Sequence, residues 1–149
     1  MVIRYLLDVN VLIAIHSPSH GDFDRVHRWF EAKAIEGFAT CAMTEAGFVR
    51  ISAQISGEAP TAELAESRIA LREFVARPGH AYWPMDVDYL KATEPFTSRM
   101  HGHRQITDAF LLGLAIHHRG KLATLDKAIK HLAGPEFADS VELIPSILN

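Results

Sequence analysis

The chain has 149 residues, of which 48% are hydrophobic and 22% are charged, so it can bury a sizeable core as one domain over residues 1–149. Its net charge of −3 excludes nucleic-acid binding by a broadly basic surface. A lone cysteine excludes an intramolecular disulfide. The sequence shows no pattern of a secretory leader and no apolar stretch of ~20 residues. It therefore predicts a soluble cytoplasmic protein without a membrane partner.

In the first half of the chain, short apolar runs alternate with helical patterns. The first apolar run stops at Asp8, and Asn10 is a residue type favoured at helix N-caps. The predicted elements are a strand over Val2–Leu7, a short helix from Asn10, an amphipathic helix over Phe23–Ile35, a strand over Phe38–Cys41, a helix capped by Thr44 that runs to Ser52, and a helix that starts at Pro60-Thr61 and ends at Pro78-Gly79.

The second half continues the alternation. The predicted elements are a strand over Ala81–Trp83, a helix over Asp86–Phe96, a polar loop over Thr97–Gln105, an apolar helix over Ile106–His118, a strand over Lys121–Thr124, a helix over Asp126–Leu132 and a candidate fifth strand over Val141–Ile144. This order predicts an α/β fold with a mainly parallel sheet of four to five strands.

Four acidic residues occur where a parallel sheet would bring them to one edge. Asp8 and Asp126 each follow a strand, and ligands of such sheets bind outside the carboxyl ends of the strands. Glu45 and Asp108 each fall in the first turn of a predicted helix. Any one of them is explained equally well as a cap or as compensation of the helix dipole. If all four carboxylates converge, their charges would repel by about 4 kcal/mol per pair at ~4 Å, so we expect a bound cation. Oxygen ligands favour Mg²⁺ or Mn²⁺.

Four sequence blocks carry these acids in order, and the ordered set is far more specific than any one block. The blocks are Leu7–Ile13, Thr44–Arg50, Thr107–Leu112 and Ala123–Asp126. They resemble the blocks of PIN domains, above all those of the VapC toxins of VapBC toxin–antitoxin systems, over essentially the whole chain. The resemblance implies a three-layer α/β/α fold, Mg²⁺- or Mn²⁺-dependent endonucleolytic cleavage of RNA, a cognate VapB-type antitoxin and a homodimer.

The resemblance also indicates a role for each site residue. Asp8 and Asp108 are the foremost expected metal ligands, with Asp126 as a third and Glu45 as a further catalytic carboxylate. Asn10 and Thr124 are expected to orient waters. Many PIN domains have Ser or Thr where this chain has Asn10, but an amide can also hydrogen-bond a metal-bound water.

Basic side chains near the acids are candidates for RNA contacts, because an acidic protein needs local cations to hold phosphates. An ordinary solvated loop or, for the two loop histidines, a zinc site stays open as an alternative. The candidates are Arg50 on the Glu45 helix and Arg99, His101, His103 and Arg104 in the polar loop.

Three further expectations concern other parts of the chain. The groove between the Phe23–Ile35 helix and the helix over residues 61–75 is the expected docking surface for apolar antitoxin side chains. Adjacent residues of a helix do not share a face, so His117 and His118 are not expected to bind a metal together. Asp86 and Asp88 are expected to cap the helix that follows them.

Two other functions fit the same acids. A Mg²⁺-dependent phosphatase or phosphotransferase could use Asp8 as its nucleophile, although the haloacid-dehalogenase-like pattern has a second Asp where Asn10 stands. A non-catalytic module could use the acid cluster to dock an Arg or Lys of a partner. Metal binding without cleavage would favour that second alternative.

Overall fold

The centre of the structure, a computed structural model that describes residues 2–53 and 62–146, is a parallel sheet of five strands. The strands are β1 (Tyr5–Leu7), β2 (Phe38–Thr40), β3 (His80–Tyr82), β4 (Lys121–Thr124) and β5 (Val141–Leu143). Their spatial order is β3-β2-β1-β4-β5, and each neighbouring pair is parallel. The predicted mainly parallel sheet is therefore confirmed.

Helices connect the strands. They are α1 (Val9–His16), α2 (Phe23–Trp29), α3 (Ala42–Ala53), α4 (Ala62–Val75), α5 (Tyr89–Thr93), α6 (Arg104–His117) and α7 (Lys127–Phe137). The predicted start of α4 at Pro60-Thr61 lies outside the described residues. Over the ranges that the structure describes, every helix is too short or too polar to cross a bilayer.

The two faces of the sheet bury two separate apolar clusters. Leu7 of β1 packs in the same cluster as Phe48 of α3 and Phe74 of α4. Leu6, which points to the opposite face as strand geometry requires, packs in the other cluster with side chains of α5, α6 and α7. The helices thus form a layer on each side of the sheet, and the three-layer α/β/α architecture is confirmed.

The strand order reverses beside β1, and this reversal sets the position of the site. Strands β2 and β3 extend the sheet to one side of β1, and β4 and β5 extend it to the other. In doubly wound sheets, a crevice opens at the carboxyl ends of the two strands between which the order reverses. Here these strands are β1 and β4, and the backbone N–H of Asp8 donates to the carbonyl of Ala123 across them at 3.0 Å.

Several helix boundaries differ from the prediction because side chains near the ends satisfy backbone groups. Asp8, and not Asn10, caps α1, since its Oδ1 accepts the Val9 N–H at 2.8 Å. Helix α3 begins two residues before Thr44, whose hydroxyl bonds the backbone of Cys41. The predicted Phe23–Ile35 helix changes to a π-turn over its last part, where Ile35 donates to the Phe30 carbonyl.

The predicted loop over Thr97–Gln105 is wrong over most of its length. A 3₁₀ turn covers Glu94–Arg99, held by the buried Phe96 and by the Thr97 hydroxyl, which donates to the carbonyl of Thr93. Helix α6 then begins at Arg104, two residues earlier than predicted. Asp108 consequently lies in the second turn of α6 and not in its first.

Candidate active site

Asp8 lies at the carboxyl end of β1 and is nearly buried, with 7% of its surface exposed. Its Oδ1 accepts the Val9 N–H at 2.8 Å, and its Oδ2 accepts the hydroxyl of Thr124 at 2.7 Å. Burial raises the pKa of the Asp8 carboxyl, the two hydrogen bonds oppose that rise, and the negative charge of Asp126 adds to it. The hydrogen bonds leave Asp8 fixed in one orientation.

Thr124, the last residue of β4, joins the polar groups around Asp8. While its Oγ1 donates to Asp8, it accepts the N–H of Asp126 at 3.1 Å and lies 3.4 Å from the amide nitrogen of Asn10. The side-chain Oδ1 of Asn10 in turn accepts the backbone N–H of Leu125 at 3.3 Å. The structure therefore brings the two predicted supporting residues, Asn10 and Thr124, together between Asp8 and Asp126.

Asp108 and Asp126 complete a group of three electrostatically coupled aspartates. Asp126 caps α7, with its Oδ1 accepting the N–H of Ala128 at 2.9 Å. Burial, and then the charges of Asp8 and Asp126, raise the pKa of Asp108 to about 6. The negative charge of Asp126 thus acts on both Asp8 and Asp108, and the structure brings three of the four predicted acids together.

Glu45, the fourth predicted acid, belongs to a neighbouring network. Its Oε2 accepts the hydroxyl of Thr40 at 2.7 Å, and that hydroxyl also lies 2.7 Å from Nε2 of His80. Sequence reasoning missed Thr40 and His80. A usable signal was present, because a threonine ends both β2 and β4, and each hydroxyl bonds a predicted site carboxylate.

A cleft of about 430 Å³ opens beside the aspartates, between α3 and α6. Asp8, Asp108 and the exposed Arg50 line it together with apolar side chains such as Met43 and Leu111. A Cβ placed on Gly47 would lie 2.6 Å from a methyl group of Val9, so a larger residue at that position would force the Val9 side chain or α3 itself to shift. The cleft offers acidic groups, one cation and an apolar wall to a ligand.

The predicted RNA contacts separate into two groups. Arg50 lines the cleft, and Arg104 lies one helical turn before Asp108 on the same face of α6. The exposed His103 directly precedes α6. Arg99 does not lie with them, because its guanidinium group packs against Gly134 of α7. A Cβ placed on Gly134 would be 2.5 Å from the guanidinium carbon of Arg99. The ring of His101 stacks on that of His131 in α7 at 6.4 Å.

The predicted docking groove between the Phe23–Ile35 helix and α4 is filled in the described part of the chain. The rings of Phe30 and Phe74 lie 5.9 Å apart, and both residues are buried. Residue 61, the predicted start of the second flanking helix, lies outside the described residues. The cleft between α3 and α6 is therefore the better candidate surface, and it adjoins the aspartates directly.

The three aspartates fit a divalent cation. Burial, and then the negative charges of Asp8 and Asp126, raise the pKa of Asp108, and a cation held between the carboxylates would relieve their repulsion. Carboxylate oxygens are hard ligands, which Mg²⁺ and Mn²⁺ prefer over imidazole or thiolate.

The comparisons with known proteins agree with this architecture. The family model described as "PIN domain" matches residues 5–135. The chain is 36% identical over 132 residues to ribonuclease VapC44 of Mycobacterium tuberculosis, covering 89% of this chain and 92% of that protein. It is 39% identical over 141 residues to ribonuclease VapC29 of the same species, covering 95% and 96% respectively. The chain belongs to the PIN-domain family.

A solved structure extends the likeness to the fold. It is the structure of VapBC-5 from Mycobacterium tuberculosis, described as a member of the VapBC family of toxin–antitoxin systems. The TM-score is 0.57 at 21% sequence identity, and the match covers 97% of this chain and 99% of that one. At this level of identity, the likeness supports the fold alone.

Proposed function

We propose that this chain is a divalent-metal-dependent endoribonuclease and the toxin of a type II toxin–antitoxin system. The observation that carries the proposal is the convergence of Asp8, Asp108 and Asp126 at the crevice between β1 and β4, where the charges of the other two aspartates act on the carboxyl of Asp108. The names of the curated relatives, ribonucleases VapC44 and VapC29, supply the substrate class. Mg²⁺ or Mn²⁺ is the cofactor that this set of oxygen donors favours.

Each site residue has a separate task in the proposed reaction. Asp8, Asp108 and Asp126 would hold the metal, and Thr124 fixes the rotamer of Asp8 through its hydrogen bond. Glu45, tied to Thr40, borders the same edge as a further carboxylate that can accept a proton from water. Arg50 and Arg104 would attract the phosphates. When bound, the metal would supply charge neutralisation at the phosphoryl group and a lower pKa for water.

The proposal includes two protein partners. An antitoxin would cover the α3–α6 cleft, since VapBC-5 is named as a toxin–antitoxin system. A second copy of the chain would pack on exposed apolar side chains near the start of α6. These are Tyr89, Leu90 and Ile106, of which Leu90 is 77% exposed, and the Tyr89 hydroxyl donates to the Ile106 carbonyl. Light scattering on the purified chain measures whether this dimer exists.

Cleavage of structured RNA with and without metal tests the catalytic proposal. We expect cleavage in Mg²⁺ or Mn²⁺, loss of cleavage on addition of EDTA, and recovery when Mn²⁺ is restored. Asp8→Asn should abolish cleavage with the fold intact, because it removes a ligand charge and keeps the side-chain size.

The matched control is Asp24→Asn, which changes an exposed acid in the first turn of α2, away from the cluster. It should cleave at the wild-type rate. Undiminished cleavage in EDTA would contradict the metal requirement. Metal binding without any cleavage would instead favour the non-catalytic module.

A further inference from the structure

A second group of metal-ligating side chains lies at the opposite end of α6 from Asp108. Asp86, His117 and His118 each offer one ligand atom, and these atoms lie within 4.8 Å of one another. Oδ1 of Asp86 is 3.2 Å from Nε2 of His117 and 3.1 Å from Nε2 of His118. Along α6, His117 is nine residues beyond Asp108, or about 14 Å at 1.5 Å per residue. The group is therefore separate from the three aspartates.

Two adjacent histidines converge here because the helix ends between them. His117 is the last residue of α6, and His118 departs from helical geometry with φ −87° and ψ 7°. The His118 ring stacks on the buried Trp83 at 4.8 Å with an interplanar angle of 13°, which turns it towards the chain after β3. The expectation that these histidines cannot act together holds for a continuous helix and does not apply at this terminus.

Asp86 is also placed differently from the sequence-based expectation. Asp88 caps α5, with its Oδ1 accepting the N–H of Lys91 at 2.8 Å. Asp86, two residues earlier, directs the same carboxylate oxygen to both imidazoles. Its surface is 51% exposed and that of His117 is 39% exposed, so solvent reaches the space between them.

We propose that Asp86, His117 and His118 form a zinc-binding site, with water completing the coordination. Two imidazoles and one carboxylate are a donor set of three-residue zinc sites, and tetrahedral Zn²⁺ at 2.0–2.1 Å holds its ligand atoms about 3.3 Å apart. The two distances from Asp86 are already close to that spacing. This donor set selects a different ion from the carboxylate cluster, which lacks imidazole.

Zinc binding here has a defined proton balance. Nε2 of His118 also lies 3.0 Å from the carbonyl oxygen of Pro84, so in the metal-free protein this nitrogen carries a proton. When Zn²⁺ binds Nε2, the His118 ring takes the tautomer that carries its proton on Nδ1, so a neutral imidazole coordinates the ion with no net loss of a proton, and His117 binds through the same ring position. The ion joins the C-terminal end of α6 to the segment after β3. We infer that it stabilises this edge of the fold.

Calorimetric titration with Zn²⁺ tests the proposal, using protein without a polyhistidine tag. The Asp8→Asn/Asp108→Asn background weakens competing binding at the aspartates. We expect one equivalent of Zn²⁺ to bind, with shifts confined to the imidazole nitrogen resonances of His117 and His118 in NMR spectra. Adding Asp86→Asn or His117→Gln should abolish this binding. Zn²⁺ should also raise the melting temperature only when all three residues are intact.

The control variant is His20→Gln, because His20 lies 4.0 Å from Asp22 but that pair has no third ligand in the described part of the chain. It should bind Zn²⁺ as the background protein does. In the otherwise wild-type chain, Asp86→Asn should leave Mg²⁺-supported RNA cleavage unchanged. If Asp86→Asn binds Zn²⁺ as tightly as its parent, or if the two imidazoles do not respond to Zn²⁺, the proposed site does not exist.

Discussion

At the scale of single residues, the hydroxyl of Thr124 has the largest share in organising the site. It donates to Asp8, accepts from the backbone of Asp126 and lies beside Asn10. Because Thr124 is fully buried, no solvent can replace these hydrogen bonds. The orientation of Asp8 and the start of α7 therefore depend on one side chain that neither binds metal nor touches substrate in our proposal.

Replacing Thr124 by valine tests this dependence. Valine keeps the shape but leaves the Asp126 N–H and the Asp8 carboxylate without their partner, at a cost of about 1–3 kcal/mol in unfolding free energy. We expect cleavage to fall by roughly 10- to 100-fold, as when partners of metal ligands are removed. Thr124→Ser, which retains the hydroxyl, should keep most of the activity. A fully active valine variant would show that the hydrogen bonds do not position Asp8.

The raised pKa of Asp108 makes a prediction about stability and pH. In the folded protein the Asp108 carboxyl has a pKa of about 6, against an ordinary value of 3.8. It therefore holds its proton more tightly in the folded protein than in the unfolded chain. Protonation of Asp108 therefore stabilises the folded state, and this contribution is complete below about pH 4 and is lost as the pH rises through 6. Without metal, Asp108→Asn should raise the unfolding free energy at pH 8 by roughly 1 kcal/mol, a value discounted for partial exposure. With Mg²⁺ present, the same substitution should abolish cleavage.

Urea unfolding in EDTA at pH 4 and pH 8 measures this difference. The gain from Asp108→Asn should be present at pH 8 and absent at pH 4, where the wild-type carboxyl is itself neutral in the folded state. Asp24→Asn serves as the control at both values. An equal effect of Asp108→Asn at both pH values would mean that the ionisation of Asp108 is not its cause.

At the scale of elements, the packing of α6 determines where Asp108 lies. Gly113, five residues beyond Asp108, lies directly against the backbone of α5. A Cβ at this position would collide with the carbonyl oxygen of Ala92, which cannot move aside as a flexible side chain could. The close approach of the two helices therefore requires glycine here.

Gly113→Ala should destabilise the protein by about 1–3 kcal/mol, the usual cost of forcing atoms into a packed interior. The gain in helix propensity, about 1 kcal/mol, does not offset a collision with backbone. Cleavage should fall as well, because α6 moves and carries Asp108 with it. Gly102→Ala is the control, since a Cβ there meets nothing within 4 Å. An alanine variant more stable than the wild type would contradict the close contact.

At the scale of the whole molecule, the acidic cleft predicts how a partner inhibits the enzyme. An arginine from an antitoxin segment would offset the repulsion among Asp8, Asp108 and Asp126 and exclude the metal, because its forked guanidinium can bridge two carboxylates. The apolar wall between α3 and α6 would receive neighbouring apolar side chains of the partner. A charge pair alone adds limited net affinity, so both contributions are needed.

Titration of a purified partner against RNA cleavage tests this model. Full inhibition is expected with the intact partner and weaker inhibition with a partner whose inserted arginine is replaced by alanine. Leu111→Ala in the cleft wall should weaken partner binding as well. Equal inhibition by both forms of the partner would exclude the arginine mechanism, while the ribonuclease proposal would still stand.

The sequence alone determined the alternation of strands and helices, and with it the parallel sheet and the acids at its carboxyl edge. Apolar periodicity and strand ends are local properties, so Asp8 and Asp126 could be assigned to one edge without knowledge of the tertiary contacts. The order of the four blocks identified the family for the same reason, because each block is a short local pattern.

Only the tertiary structure decided which groups touch within the site. The hydrogen bond from Thr124 to Asp8 joins residues 116 positions apart, and the pairing of β1 with β4 makes it. Three other features likewise depend on how elements pack and where helices end. They are the hydrogen bond from Thr40 to Glu45, the cleft between α3 and α6, and the contact of Asp86 with His117 and His118. Local pattern does not encode these contacts, because free energy gained between distant elements selects them.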